Sequence, residues 1–86
     1  TWDQAPVIME LVKAGADVNI ADNRGRTPIN YAAVHGYDDC VALLVAYDVD
    51  INIADKDGNT PMKLALENGH EKVVKLLKHV EARNRV

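Results

Sequence analysis

The stretch Asp22-Asn23-Arg24-Gly25-Arg26-Thr27-Pro28 decides how this chain is read, because its pattern returns 33 residues later as Asp55-Lys56-Asp57-Gly58-Asn59-Thr60-Pro61. In each copy, Asx residues lead to a glycine that accepts a positive φ, which is the chemistry of a tight turn. The Thr-Pro pair that follows opens a helix. The hydroxyl can cap the free N–H groups of the first turn, and proline suits the first helical position. The same offset sets Ala32 on Ala65, Gly36 on Gly69, Val41 on Val74, Leu43 on Leu76 and Leu44 on Leu77. It also sets Leu11 on Leu44, and Asp17, Asn19, Ile20 and Ala21 on Asp50, Asn52, Ile53 and Ala54. The matches fall on residues with backbone or core roles, so the chain is a structural repeat.

Outward from the turn, a first helix runs from Pro28 to about His35 and stops at Gly36, a C-terminal glycine. A second begins near Asp38 and Asp39, whose charges favour a helix N-terminus. It buries Cys40, Val41, Leu43 and Leu44 at helical spacing and ends near Tyr47. Asp48 to Ala54 reads as an extended connector with alternating Val49, Ile51 and Ile53. In the next unit Thr60-Pro61 opens a helix, Gly69 closes it, and Glu71 to about Glu81 forms the second. The first unit is half present: Pro6 starts a helix through Val7, Ile8, Leu11 and Val12, ended by Gly15. The expected class is all-α, a single domain over residues 1–86. It comprises a partial repeat 1–21, a full repeat 22–54 and a C-terminal repeat 55–86, as helix-turn-helix units joined by extended, hairpin-like connectors.

Composition limits the function. The chain has 86 residues, enough for one domain. It contains no Phe, one Trp and three Tyr against 48% apolar residues, so its core is built from small aliphatic side chains, which suits closely packed helices. Thirteen acidic residues against ten basic ones give a net charge of −3, without the basic surplus that nucleic-acid binding needs. The basic C-terminal run of His79, Arg83 and Arg85 contains Glu81 and reads as a solvated end. No apolar run approaches the ~20 residues that span a bilayer. The lone Cys40 excludes an internal disulfide and fits an intracellular, cytoplasmic or nuclear, setting. The N-terminus has neither an initiator Met nor a signal peptide, as expected of an excised or processed piece.

No catalytic constellation is present. His35, His70 and His79 share no helix face and have no metal-ligand spacing with Cys40, so no metal is expected. The chain has no Ser, no Gly-rich phosphate loop and no paired carboxylates. No cofactor and no enzymatic activity are expected.

These residues resemble the ankyrin repeat over essentially the whole chain. The carriers are Asp-x-x-Gly-x-Thr-Pro at Asp22–Pro28 and Asp55–Pro61. The connector Gly-Ala-Asp-Val-Asn stands intact at Gly15–Asn19 and altered at Asp48–Asn52. The resemblance implies an ankyrin-repeat solenoid, and three departures stand out. Where the family has His two residues after Thr-Pro, this chain has Asn30 and Lys63. Asn30 can replace part of the bonding to neighbouring backbone, whereas Lys63 accepts no hydrogen bond. Asp48 replaces the connector glycine and must take a left-handed conformation. Glu10 stands where the other units have Leu43 and Leu76, which gives the first helix an exposed flank. His70, after Gly69, falls where the family uses His for local hydrogen bonding.

The resemblance further implies a protein-binding module, with a concave groove formed by turn tips and first helices. It maps that groove to Asn23, Arg24, Arg26, Tyr31, Val34 and His35 in one unit, and to Lys56, Asp57, Asn59, Leu64, Glu67 and Asn68 in the next. The partner is another protein, with neither nucleic acid nor membrane involved. A structural spacer, a segment of a longer array, is the alternative. Asn19 and Asn52 resemble the target sites of an oxygen-dependent asparaginyl hydroxylase, although the same residues also support turn bonding. At the N-terminus, Ile8 or Leu11 is expected to be partly uncovered, to be shielded by Trp2 or by self-association with another copy.

Overall fold

A computed structural model describes residues 5–15, 17, 19–23, 25–47 and 49–84. Among these lie five helices and no strand: α1 (Ala5–Lys13), α2 (Pro28–His35), α3 (Asp38–Ala46), α4 (Pro61–Glu67) and α5 (Glu71–Asn84). α2 pairs with α3 and α4 with α5 as helical hairpins. Between units, α2 packs on α4, α3 on α5 and α1 on α3. The result is two layers, α2 and α4 in one, α1, α3 and α5 in the other. This is the all-α ankyrin solenoid expected from the repeat.

The repeated chemistry acts as its residues require. Thr60 Oγ1 accepts the Lys63 N–H at 3.3 Å and caps α4. At α2 the same position works differently. Asn30 Oδ1 accepts both the N–H and the hydroxyl of Thr27, at 2.8 and 3.0 Å. The Asn30 amide then donates to the Ile53 carbonyl at 2.9 Å. One buried side chain thus caps its own helix and ties it to the connector, taking over the bonding expected of a histidine. Lys63, its equivalent, is exposed and lies 4.0 Å from Glu67.

Small side chains let the layers approach. Ala32, Ala33 and Ala65 are fully buried, with Ile29, Val41, Leu44, Leu64, Val73 and Leu77 filling the space around them. In the connector Val49 and Ile51 are buried and Ile53 is half-buried, but Ile51 and Asn52 form a turn, so the segment is not extended throughout as expected. Cys40 is buried, as expected. Burial, and then the charges of Asp39 and Asp38, push its thiol pKa up.

The N-terminal edge is partly uncovered, as expected, at Leu11 but not at Ile8. Ile8 is fully buried, and so is Val12, while Leu11 is half-buried and Val7 is 41% exposed. Ile8 and Val12 stand one turn apart and enter the core with α3, so Val7 faces away from it. Glu10 is exposed, on the flank expected for it. Trp2 and Asp48 lie outside the described residues. α5 continues past Glu81 to Asn84.

Candidate partner-binding site

The site is built on two equivalent aspartates. In the second tip, Asp55 Oδ1 accepts the N–H groups of Asp57 and Asn59, both at 2.9 Å. The backbone closes the loop through Asp55 N–H to Asn59 O and Gly58 N–H to Asp55 O, each at 3.0 Å. In the first tip, Asp22 Oδ1 accepts the Arg26 N–H at 3.1 Å. The backbone there closes in the same way, Asp22 N–H to Arg26 O and Gly25 N–H to Asp22 O. Each carboxylate satisfies donors that a tight turn leaves unpaired, which explains Asp at the head of both motifs.

The tips are also joined to each other. Arg26 Nε donates to Asp55 Oδ2 at 3.1 Å, and the Asp55 side chain is only 1% exposed. Burial works to raise the Asp55 pKa. The Asn59 N–H, the Arg26 guanidinium and the Asp57 N–H outweigh it and hold the carboxyl below its ordinary range. Gly25 fits because its neighbour is close: a Cβ there would stand 2.8 Å from Lys56 Cγ. Between the joined tips is a depression of about 370 Å³ lined by Asn23, Arg26, Lys56 and Asp57.

A row of planar groups leads from this depression onto α2. The Arg26 guanidinium carbon stands 5.6 Å from the Tyr31 ring centre. Tyr31 stacks with His35 at 6.3 Å and His35 with Tyr37 at 5.2 Å. His35 is the exposed member. Tyr31 is 4% exposed, with its hydroxyl donating to Asp22 Oδ2. Leu64, its equivalent on α4, is 3% exposed and belongs to the core. Both residues were expected to line the groove. Both are buried instead: the Tyr31 hydroxyl is held by Asp22, and Leu64 packs into the core.

The other expected residues are spread around this centre. Asn59 is half-buried beside Asp55, its side-chain amide 3.5 Å from Oδ2. Val34 is half-buried, and its carbonyl lies 2.8 Å from His70 Nε2. Glu67 and Asn68 are exposed at the end of α4, and the Asn68 amide donates to Leu64 O at 2.8 Å. Arg24 lies outside the described residues. Asn19 and Asn52 are both exposed, each in an Asx turn with its N–H on Asp17 Oδ1 or Asp50 Oδ1, at 3.0 and 2.9 Å. Asp22 and Asp55 organise the site, a role beyond the turn chemistry that the sequence shows for them. Their recurrence at the head of both motifs was the available signal. His70 was expected to bond locally, but its ring reaches the preceding unit.

Chemically, the depression offers side-chain donors from Asn23, Arg26 and Lys56 and a carboxylate from Asp57, on a backbone already held by hydrogen bonds. Among the described residues no group of three or more His, Cys, Asp or Glu could hold a metal ion. No helix among them is long and apolar enough to cross a membrane.

A family model described as ankyrin repeats (3 copies) matches residues 3–85. The chain is 40% identical over 47 residues to the potassium channel AKT2/3 of Arabidopsis thaliana, a match covering 55% of this chain and 6% of the channel. It is 43% identical over 42 residues to ankyrin repeat and SOCS box protein 3 of Homo sapiens, covering 49% of this chain and 8% of that protein. The nuclear factor NF-kappa-B p105 subunit of Gallus gallus is 41% identical over 44 residues, 51% of this chain and 4% of its own length. Each match therefore spans less than a tenth of the relative. Turn, cap, core and two-layer stacking agree with the family match: the chain belongs to the ankyrin repeats, which are generally protein-interaction modules and typically a non-catalytic fold.

Proposed function

We propose that this chain is a non-catalytic module that binds a partner protein through the surface centred on the two turn tips. The observation that carries the reading is the depression shared by Asn23, Arg26, Lys56 and Asp57. Asn23, Lys56 and Asp57 are exposed, and the core has no need of them. They project from turns that the Asp22 and Asp55 bonds have already ordered, so little conformational entropy is lost when a partner docks. Exposed His35, stacked between two tyrosines, extends the surface as a rigid planar contact. The buried Cys40, the single cysteine of the chain, accords with an intracellular setting. The net charge of −3 speaks against nucleic acid as the partner.

The test is comparative capture from cell extract. Wild type, an N23A/K56A/D57A variant and an E10A/K13A control on α1 are compared, with the fold checked by circular dichroism. The module reading expects a captured protein that the first variant loses and the control keeps. Equal capture by all three would favour the spacer reading.

A second reading rests on the connectors. Asn19 and Asn52 are presented identically, exposed and one residue past a bonded Asp-x turn. This supports both as substrates of an asparaginyl hydroxylase. Intact mass after co-expression with such an enzyme tests it: the gain of one oxygen per site is expected, and an unchanged mass rejects it.

A further inference from the structure

α3 and α5 lie side by side in the layer that the turn-tip surface does not use. Between them is a shallow groove of about 330 Å³ lined by Asp38, Lys72, Lys75, Leu76 and His79. Its surface is mostly carbon. Leu76 is half-buried, and the lysines are exposed, with aliphatic stems long enough to line the walls.

The repeat does not demand these bases. Opposite Lys72, Lys75, Leu76 and His79, the equivalent positions of α3 hold Asp39, Ala42, Leu43 and Ala46. The aliphatic residue is kept and the bases are new. They also oppose the net charge of −3 for the whole chain. Among the described residues the ion pairs are Arg26–Asp55 and Lys63–Glu67, so neither Lys72 nor Lys75 is paired.

We propose that this groove docks a protein segment in which acidic residues flank one aliphatic side chain. The aliphatic group sits over Leu76, and the carboxylates meet Lys72 and Lys75. Burial against carbon supplies affinity, while the charges supply orientation and encounter rate. A bare anion would use the lysines and leave Leu76 idle, so the carbon floor favours a peptide over a headgroup or a phosphate. The groove lies in the opposite layer from the tips, so it stands or falls independently of the function proposed above.

The test is an NMR titration of the full chain, ¹⁵N-labelled, with the probe acetyl-Glu-Asp-Leu-Asp-Glu-amide. Saturable amide shifts are expected at Asp38, Lys75, Leu76 and His79, weakening as salt is raised. The K72E/K75E variant should lose roughly tenfold or more in affinity. Both lysines are exposed, so the fold should persist, and K72Q/K75Q serves if the charge reversal disturbs α5. A probe with Gly in place of Leu should bind more weakly. No saturable shift, shifts centred on Asn23 and Lys56, or an equal response to the Gly probe would overturn the proposal. So would equal shifts with inorganic phosphate or with phosphatidylserine vesicles.

Discussion

Gly36 and Gly69 are equivalent in the repeat and have nearly the same left-handed backbone, φ 73° and 70°. Their surroundings differ. A Cβ on Gly36 would stand 2.5 Å from His70 Nδ1, while one on Gly69 meets nothing within 4 Å. Gly69→Ala therefore incurs only the left-handed penalty, about 1–2 kcal/mol. Gly36→Ala adds displacement of the His70 ring from the Val34 carbonyl, and a total of about 2–4 kcal/mol is expected in urea unfolding. Equal losses would show that the His70 contact contributes nothing. At Asp55 the sign follows from its pKa, which lies lower folded than the ordinary 3.8. As pH falls, the unfolded chain takes up this proton first, so the stabilisation is complete above 3.8 and is lost as pH falls through the lower folded value. Asp55→Asn is expected to be less stable than wild type at neutral pH, with the gap closing in acid. Unfolding measured across that range checks it.

At the scale of the element, α2 and α4 show what a neighbouring unit changes. α2 has Asn30, Ala33 and Val34 where α4 has Lys63, Leu66 and Glu67. Ala33 is fully buried, while Leu66 is 58% exposed. Ala33→Leu is expected to overpack the core and cost about 1–3 kcal/mol. Leu66→Lys should stay within about 0.5 kcal/mol of wild type. Denaturant midpoints at matched slopes decide between the two. α3 carries its own reporter in Cys40, buried and with its thiol pKa raised by burial and by Asp39 and Asp38. A thiol reagent at neutral pH should label it only through opening of α3. Labelling as fast as that of a free thiol would mean the hairpin frays.

The whole molecule has a radius of gyration of 11.6 Å. A compact domain of this length has about 12 Å, so the short stack has not yet become an elongated rod. Each unit buries its apolar face only against its neighbours, and the N-terminal edge shows how. Ile8 and Val12 are already covered, leaving Val7 exposed on α1. Sedimentation at micromolar concentration is therefore expected to show a monomer. A dimer abolished by Val7→Lys would restore the self-association expected for that edge.

The period, the helix type and most helix ends can be read from the amino-acid order. Those features depend on local chemistry: an Asx turn, a Thr-Pro start, a glycine with positive φ and the spacing of apolar residues. The resemblance to the ankyrin repeat mapped Asn23, Lys56 and Asp57 to one surface. Which of two equivalent residues is covered emerges only from the packing of adjacent units. Tyr31 and Leu64 look like groove residues but are buried. Arg26 looks like a free contact but pairs with Asp55, 29 positions away. His70 reads as a local cap but bonds Val34 O, 36 positions away. Burial and pairing depend on what the adjacent unit presents at a few ångströms, and periodicity does not carry that information.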